Sequence, residues 1–222
     1  MSKKIYITII ILGVTIILAI VAFFIYTYLQ EENIIVNPNL PEEYKQTLEA
    51  DLQTYTDELF NDPSNIESYI KVGTTQKKLG LLSQAEKTFK KALALPFSEK
   101  QYLIYLYLGK LFDDMEKFDK ADEMLRMSTQ INPRSSAGFL ALIDLYKKHY
   151  PDKADELNNI YRAASDYSES PEIWESYAQF LEDRREYRQA WIYWGEVLTA
   201  EPENKKAIDH VKNLEEMLGI KD

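Results

Sequence analysis

Tyr102–Pro133 reads YLIYLYLGKLFDDMEKFDKADEMLRMSTQINP, and its spacing decides the fold. Tyr105, Leu108, Gly109 and Phe112 recur at the interval expected of one helix face, then Ala121 and Leu125 mark a second helix, and Pro133 closes the unit. Small residues at Gly109 and Ala121 permit two helices to cross closely, while Tyr105 and Phe112 fill the space on either side. Such a helix pair cannot bury its apolar face alone, so neighbouring pairs must stack against it.

The same pattern returns along the chain. Upstream, Tyr69, Val72, Gly73, Gly80, Leu82, Ala85, Phe89 and Ala92 follow it, with Gln76 where an aromatic is expected. Downstream, Phe139, Leu142 and Tyr146 fit, but Ile143 replaces the small residue and His149-Tyr150-Pro151 replaces the turn. A last unit returns to type with Trp174, Tyr177, Ala178, Leu181, Tyr187, Ala190, Trp194 and Pro202. Four units at 66–99, 102–135, 136–170 and 171–203 resemble tetratricopeptide repeats. The resemblance covers residues 66–203 and implies an all-α chain whose helix pairs build a right-handed α-solenoid, with flanking helices at 41–62 and 204–222.

The flanks are read from their own residues. Pro41, Glu42 and Glu43 signal a helix start, Tyr44, Leu48, Leu52, Tyr55 and Leu59 form one apolar stripe, and Asp62-Pro63 ends the segment. That helix must dock on the array, stack as a half-repeat, or meet a partner. At the other end, Ile208, Val211, Leu214 and Leu218 form a stripe opposite Lys205, Lys206, Lys212, Glu215 and Glu216, which reads as a capping helix with its charges in water.

Residues 5–29, IYITIIILGVTIILAIVAFFIYTYL, are an almost unbroken apolar run. As a helix they span roughly 37 Å, enough to cross a hydrocarbon layer of about 30 Å. The run exceeds the apolar core of a cleaved signal, so the expectation is a single transmembrane helix. Lys3 and Lys4 precede it and Glu31 and Glu32 follow, which keeps residues 1–4 in the cytoplasm and sends the repeats across the cell (inner) membrane. Residues 30–40 then serve as a short tether. This layout resembles bacterial translocon-associated proteins with one span and an exported repeat domain. The alternative is a cytosol-facing anchored receptor or adaptor, resembling mitochondrial import receptors.

Composition restricts the partners. The chain of 222 residues carries a net charge of −10, and apart from Lys3 and Lys4 it has 24 basic against 36 acidic residues. An acidic array is repelled by phosphates, so no nucleic-acid partner is expected. The expected contacts are the lipid bilayer, through the N-terminal helix, and a protein or peptide.

No catalytic constellation is legible. There is no cysteine, no phosphate loop and no metal motif, and His149 and His210 stand 61 residues apart, reading as ordinary solvated or turn histidines. The chain is therefore expected to be a scaffold, with no enzyme activity, cofactor or metal.

Repeats of this family expose a concave groove on the first helix of each pair, and that resemblance implies a partner-binding surface. In the first repeat it maps to Ile70 and Thr74, and in the second to Leu103, Leu106, Tyr107 and Lys110. The third contributes Ala137, Leu140 and Asp144, and the fourth Glu175. Some family members clamp a terminal carboxylate there; Ile70, Thr74, Leu103 and Leu106 do not resemble that clamp. The groove is expected to be apolar in its middle and acidic at its far end. The competing readings are that the chain's own helix 41–62 covers these residues, or that the register differs and they are core. On the groove reading, Leu106→Glu should weaken capture without unfolding the array.

Overall fold

The computed structural model describes residues 40–220 together with the single residue Ile20. Residues 1–4, the apolar run 5–29 and the tether, apart from Ile20 and Leu40, lie outside the described residues. No helix among those described is long and apolar enough to cross a membrane. The described chain holds ten helices and no strand, and forms two compact units divided after Pro96.

The first unit contains α1 (Glu42–Asn61), α2 (Ile66–Lys78) and α3 (Leu82–Leu93). Helix α2 starts where Asn65 caps it, its Oδ1 accepting from the backbone N–H of Glu67 at 2.9 Å and of Ser68 at 3.3 Å. It packs against both α1 and α3. Gly73 sits at the α2–α3 crossing, where a Cβ would come within 2.5 Å of the buried Phe89 ring. The glycine is therefore required by the approach of the two backbones. Helix α1 docks by Leu48, which is buried, and by half-buried Leu52, Tyr55 and Leu59. Lys71 on α2 pairs with Glu58 at 2.9 Å and lies over the Tyr55 ring. Tyr44, expected on the apolar stripe, is 45% exposed.

The second unit contains α4 (Gln101–Asp114), α5 (Phe118–Ile131), α6 (Ser136–His149), α7 (Ala154–Tyr167), α8 (Pro171–Asp183), α9 (Tyr187–Ala200) and α10 (Lys205–Leu218). Each packs on its neighbour in the chain, and α6 also reaches back to α4, so the unit grows by stacking as an all-α solenoid does. Gly109 repeats the role of Gly73: its Cβ would lie 2.6 Å from Cγ of Leu125. Ala85, Ala121, Ala178 and Ala190 are fully buried in the two units.

Three turns within helix pairs share one geometry. Gly80, Glu116 and Arg185 all have positive φ, at 81°, 57° and 63°. In each, the following N–H returns to a carbonyl five residues back: Leu81 to Gln76, Lys117 to Phe112, and Glu186 to Leu181. The turn after α6 breaks the series, because Pro151 follows Tyr150 and no left-handed residue occurs there.

The degenerate third pair is held by polar and aromatic groups. Arg126 on α5 shares its Nε–H between the two carboxylate oxygens of Asp122, at 3.0 Å each, and donates from a terminal nitrogen to Tyr146 Oη at 2.7 Å and Glu156 at 2.8 Å, tying α5, α6 and α7. Burial pushes the Tyr146 phenol up, so it remains a donor to Glu156. Beyond it, Tyr161 and Tyr177 stack with centroids 4.9 Å apart, and Tyr193 closes on Tyr177 at 4.5 Å, joining α7, α8 and α9.

Both histidines depart from the solvated reading. The His149 ring stacks on Phe118, with Nε2 2.8 Å from Asp113. His210 stacks on Trp194, with Nδ1 2.8 Å from Glu182, which also accepts from Trp194 Nε1. Each fastens one helix to both members of the preceding pair. Planar, amphipathic imidazole suits this place because one face can stack while an edge nitrogen meets a carboxylate.

The cap keeps most of the expected stripe, with Leu214 buried and Val211 and Leu218 half-buried, and departs from it at Ile208. Asn204 caps α10 through the Ala207 N–H, and Ala207 and Leu214 are the buried contacts, while Ile208 is 44% exposed.

Candidate functional site

The second unit carries an open cleft built from the first helices of its pairs. Helix α6 supplies Ala137, Leu140, Ala141, Asp144 and Lys147, a run at helical spacing that puts three small or apolar side chains before two charged ones. Lys110 approaches from α4, and Glu172 and Ser176 from α8. This depression has a volume of about 450 Å3. A second one shares Lys147, Glu172 and Ser176 with it and continues to Glu175, Gln179 and Lys206, so the two form one track.

Of the residues expected at the binding surface, Lys110, Ala137, Leu140 and Asp144 meet in the first depression and Glu175 lines the second. Leu103 and Tyr107 are half-buried on α4 and line neither. Ile70 and Thr74 are half-buried on α2 of the first unit, where the Thr74 hydroxyl is turned back onto the Ile70 carbonyl at 2.7 Å.

Leu106 does not belong to an exposed groove. It is 3% exposed and part of the core. The reason is the composition of α4: QYLIYLYLGKLFDD is apolar nearly all round, and a helix of that kind is covered on more than one face. Ile104 and Leu111 are likewise fully buried, while Tyr105, placed among the packing residues by its spacing, is only half-buried. The same shift occurs on α8, where Ile173 is fully buried and Trp174 half-buried.

Charges of both signs line the track, with Glu172, Glu175 and Glu201 beside Lys147 and Lys206 at the far end. Lys110, Asp144, Lys147 and Glu172 make no ion pair within the described chain, and all four are exposed. At the far end Glu175 is taken by Lys206, at 2.8 Å. Lys206 comes from the cap, where sequence spacing had placed it facing water. Only the folding back of α10 onto α9 brings it there, and spacing within α10 carries no trace of that. Among the described residues no group of three or more His, Cys, Asp or Glu side chains is placed to hold a metal ion.

This arrangement of helix pairs is also found in known proteins. Residues 66–98 match the tetratricopeptide repeat family. The repeat so matched is the pair α2–α3, including Gly73, Gly80 and Phe89. No curated protein matches the chain by sequence. Among solved structures, MamA is similar over 74% of this chain and 95% of its own, at 20% identity and a TM-score of 0.55. Pseudomonas aeruginosa pilF is similar over 80% of this chain and 84% of its own, at 17% identity and a TM-score of 0.57. YrrB, described as a TPR protein with an unusual peptide-binding site, is similar over 75% and 84%, at 16% identity and a TM-score of 0.50. These likenesses establish the tetratricopeptide fold beyond the matched repeat.

Proposed function

We propose that the protein is a membrane-anchored scaffold that captures a segment of a partner protein in the α4–α6–α8 cleft. The observation that carries this reading is the cleft itself, with Leu140 on its floor and Lys110, Asp144, Lys147 and Glu172 left without ion-pair partners around it. Concave surfaces with an apolar floor and a few convergent charges are where extended or helical segments dock. The peptide-binding description of YrrB, a protein of similar fold, supports the same use of such a surface. The anchor is residues 5–29, supported by their length, their unbroken apolar character and the flanking charges. On this reading the repeats lie outside the cytoplasm, in envelope assembly, secretion or a surface complex.

Crosslinking in native membranes, with wild type and Leu140→Asp compared, tests the capture. Leu140 is a half-exposed residue, so the variant keeps its helix content, checked by circular dichroism, and loses the crosslinked partner. An unchanged set of crosslinked proteins would sink the cleft. Protease added to spheroplasts tests the topology. Digestion of the repeats supports the exported array, whereas protection until the membrane is opened supports the cytosol-facing receptor.

A further inference from the structure

The second depression already contains a ligand of a kind, and it is a lysine of the chain itself. Lys206 Nζ lies 2.8 Å from Glu175 Oε1, so a carboxylate at the surface of the depression receives one ammonium group, whereas the Trp194 ring 5.5 Å from that group is fully buried in the core. Glu172 and Glu201 line the same depression together with Lys147, so apart from Lys206 three carboxylates face one ammonium group there. The pair is accessible: the Lys206 side chain is 51% exposed and that of Glu175 34%. An ion pair this open to water is worth little, and an arriving cation can exchange for it.

We propose that this end of the cleft is a cation subsite held in cis by Lys206, and that the partner is a segment with a lysine or arginine beside an apolar side chain. The proposal rests on the cleft being the capture site. The basic group displaces Lys206 from Glu175, while the apolar neighbour occupies the floor at Ala137, Leu140 and Ala141. Three observations favour a cationic occupant over an acidic one: Glu175 already holds a cation, the charged lining of this depression apart from Lys206 is three carboxylates against Lys147, and the chain as a whole carries −10. Long-range attraction then raises the encounter rate with basic segments. Lys206 keeps the carboxylate matched when the partner is away and sets a threshold for binding.

The test uses the full chain in detergent and a phage-displayed library of random dodecapeptides as the probe. Selection enriches peptides in which lysine or arginine neighbours leucine, isoleucine or valine. Titration of one enriched synthetic peptide then gives a Kd several-fold lower for Lys206→Gln than for wild type, and about tenfold higher for Glu175→Gln. Both residues are at the surface, and circular dichroism of each variant checks that the helices persist. Peptides that depend on Leu140 but carry no basic residue, or that bind Lys206→Gln no more tightly, overturn the cation subsite and leave the capture site standing. Enrichment that is indifferent to Leu140→Asp, or no enrichment, overturns both.

Discussion

Glycine at a helix crossing and glycine on an open helix face have opposite energetics, and this chain contains both. At Gly109 an added methyl meets Leu125 at 2.6 Å and the Ala121 carbonyl at 3.3 Å, whereas at Gly195 it meets nothing within 4 Å. Gly109→Ala should lower stability by about 1–3 kcal/mol through overpacking. Gly195→Ala should raise it by about 0.5–1 kcal/mol, because alanine gives up less backbone entropy in a helix. Urea unfolding of the two variants checks the pair of signs. Leu106→Glu belongs with the first kind. Placing a carboxylate at a site 3% exposed removes a core side chain and buries a charge, a loss of about 3 kcal/mol or more, so the variant should unfold at much lower urea than wild type. The burial of Leu106 thus replaces the expectation that this substitution would report on capture alone. Periodicity within α4 could not reveal it, because a helix apolar on nearly every side gives several equally good stripes.

At the level of helices and turns, the left-handed residue that closes α2, α4 and α8 is glycine only once. Glu116 and Arg185 adopt φ of 57° and 63° without glycine's freedom. Glu116→Gly and Arg185→Gly should each stabilise the fold by roughly 0.5–1 kcal/mol, the strain relieved being partly offset by the greater entropy of the unfolded chain. Thermal melts of the single and double variants test this, with the double expected to be additive because the turns are separate. The stack of tyrosines across α7, α8 and α9 has a different signature. Burial raises the phenols of Tyr161 and Tyr193, and raises that of Tyr177 to about 12. Unfolded tyrosines ionise near 10, so above that pH the folded state binds more protons than the unfolded one, and stability falls as pH rises. Below about pH 10 the contribution is fully present. Urea midpoints measured at pH 8 and pH 11 should show a clear drop at the higher pH, and replacing Tyr177 by Phe should reduce that drop.

Over the whole molecule, the division after Pro96 falls in the connection between α3, which ends at Leu93, and α4, which starts at Gln101. Phe97 in that connection is 73% exposed, while other aromatic side chains of comparable exposure, Phe60 and Tyr167, lie within helices. Brief chymotrypsin digestion should therefore cut first at Phe97, releasing a fragment that begins at Ser98, as mass spectrometry would show. What the chain's order of residues determined by itself was local: helix pairs, their small crossing residues Gly73 and Gly109, and the broken turn at Tyr150-Pro151. These depend on interactions within some thirty residues, which leave a period in the sequence. The tertiary structure alone decided which apolar faces were covered, the places of His149 and His210, and the return of Lys206 from α10 to Glu175. Those outcomes depend on residues far apart in the chain meeting across stacked helices, and no local spacing records such a meeting.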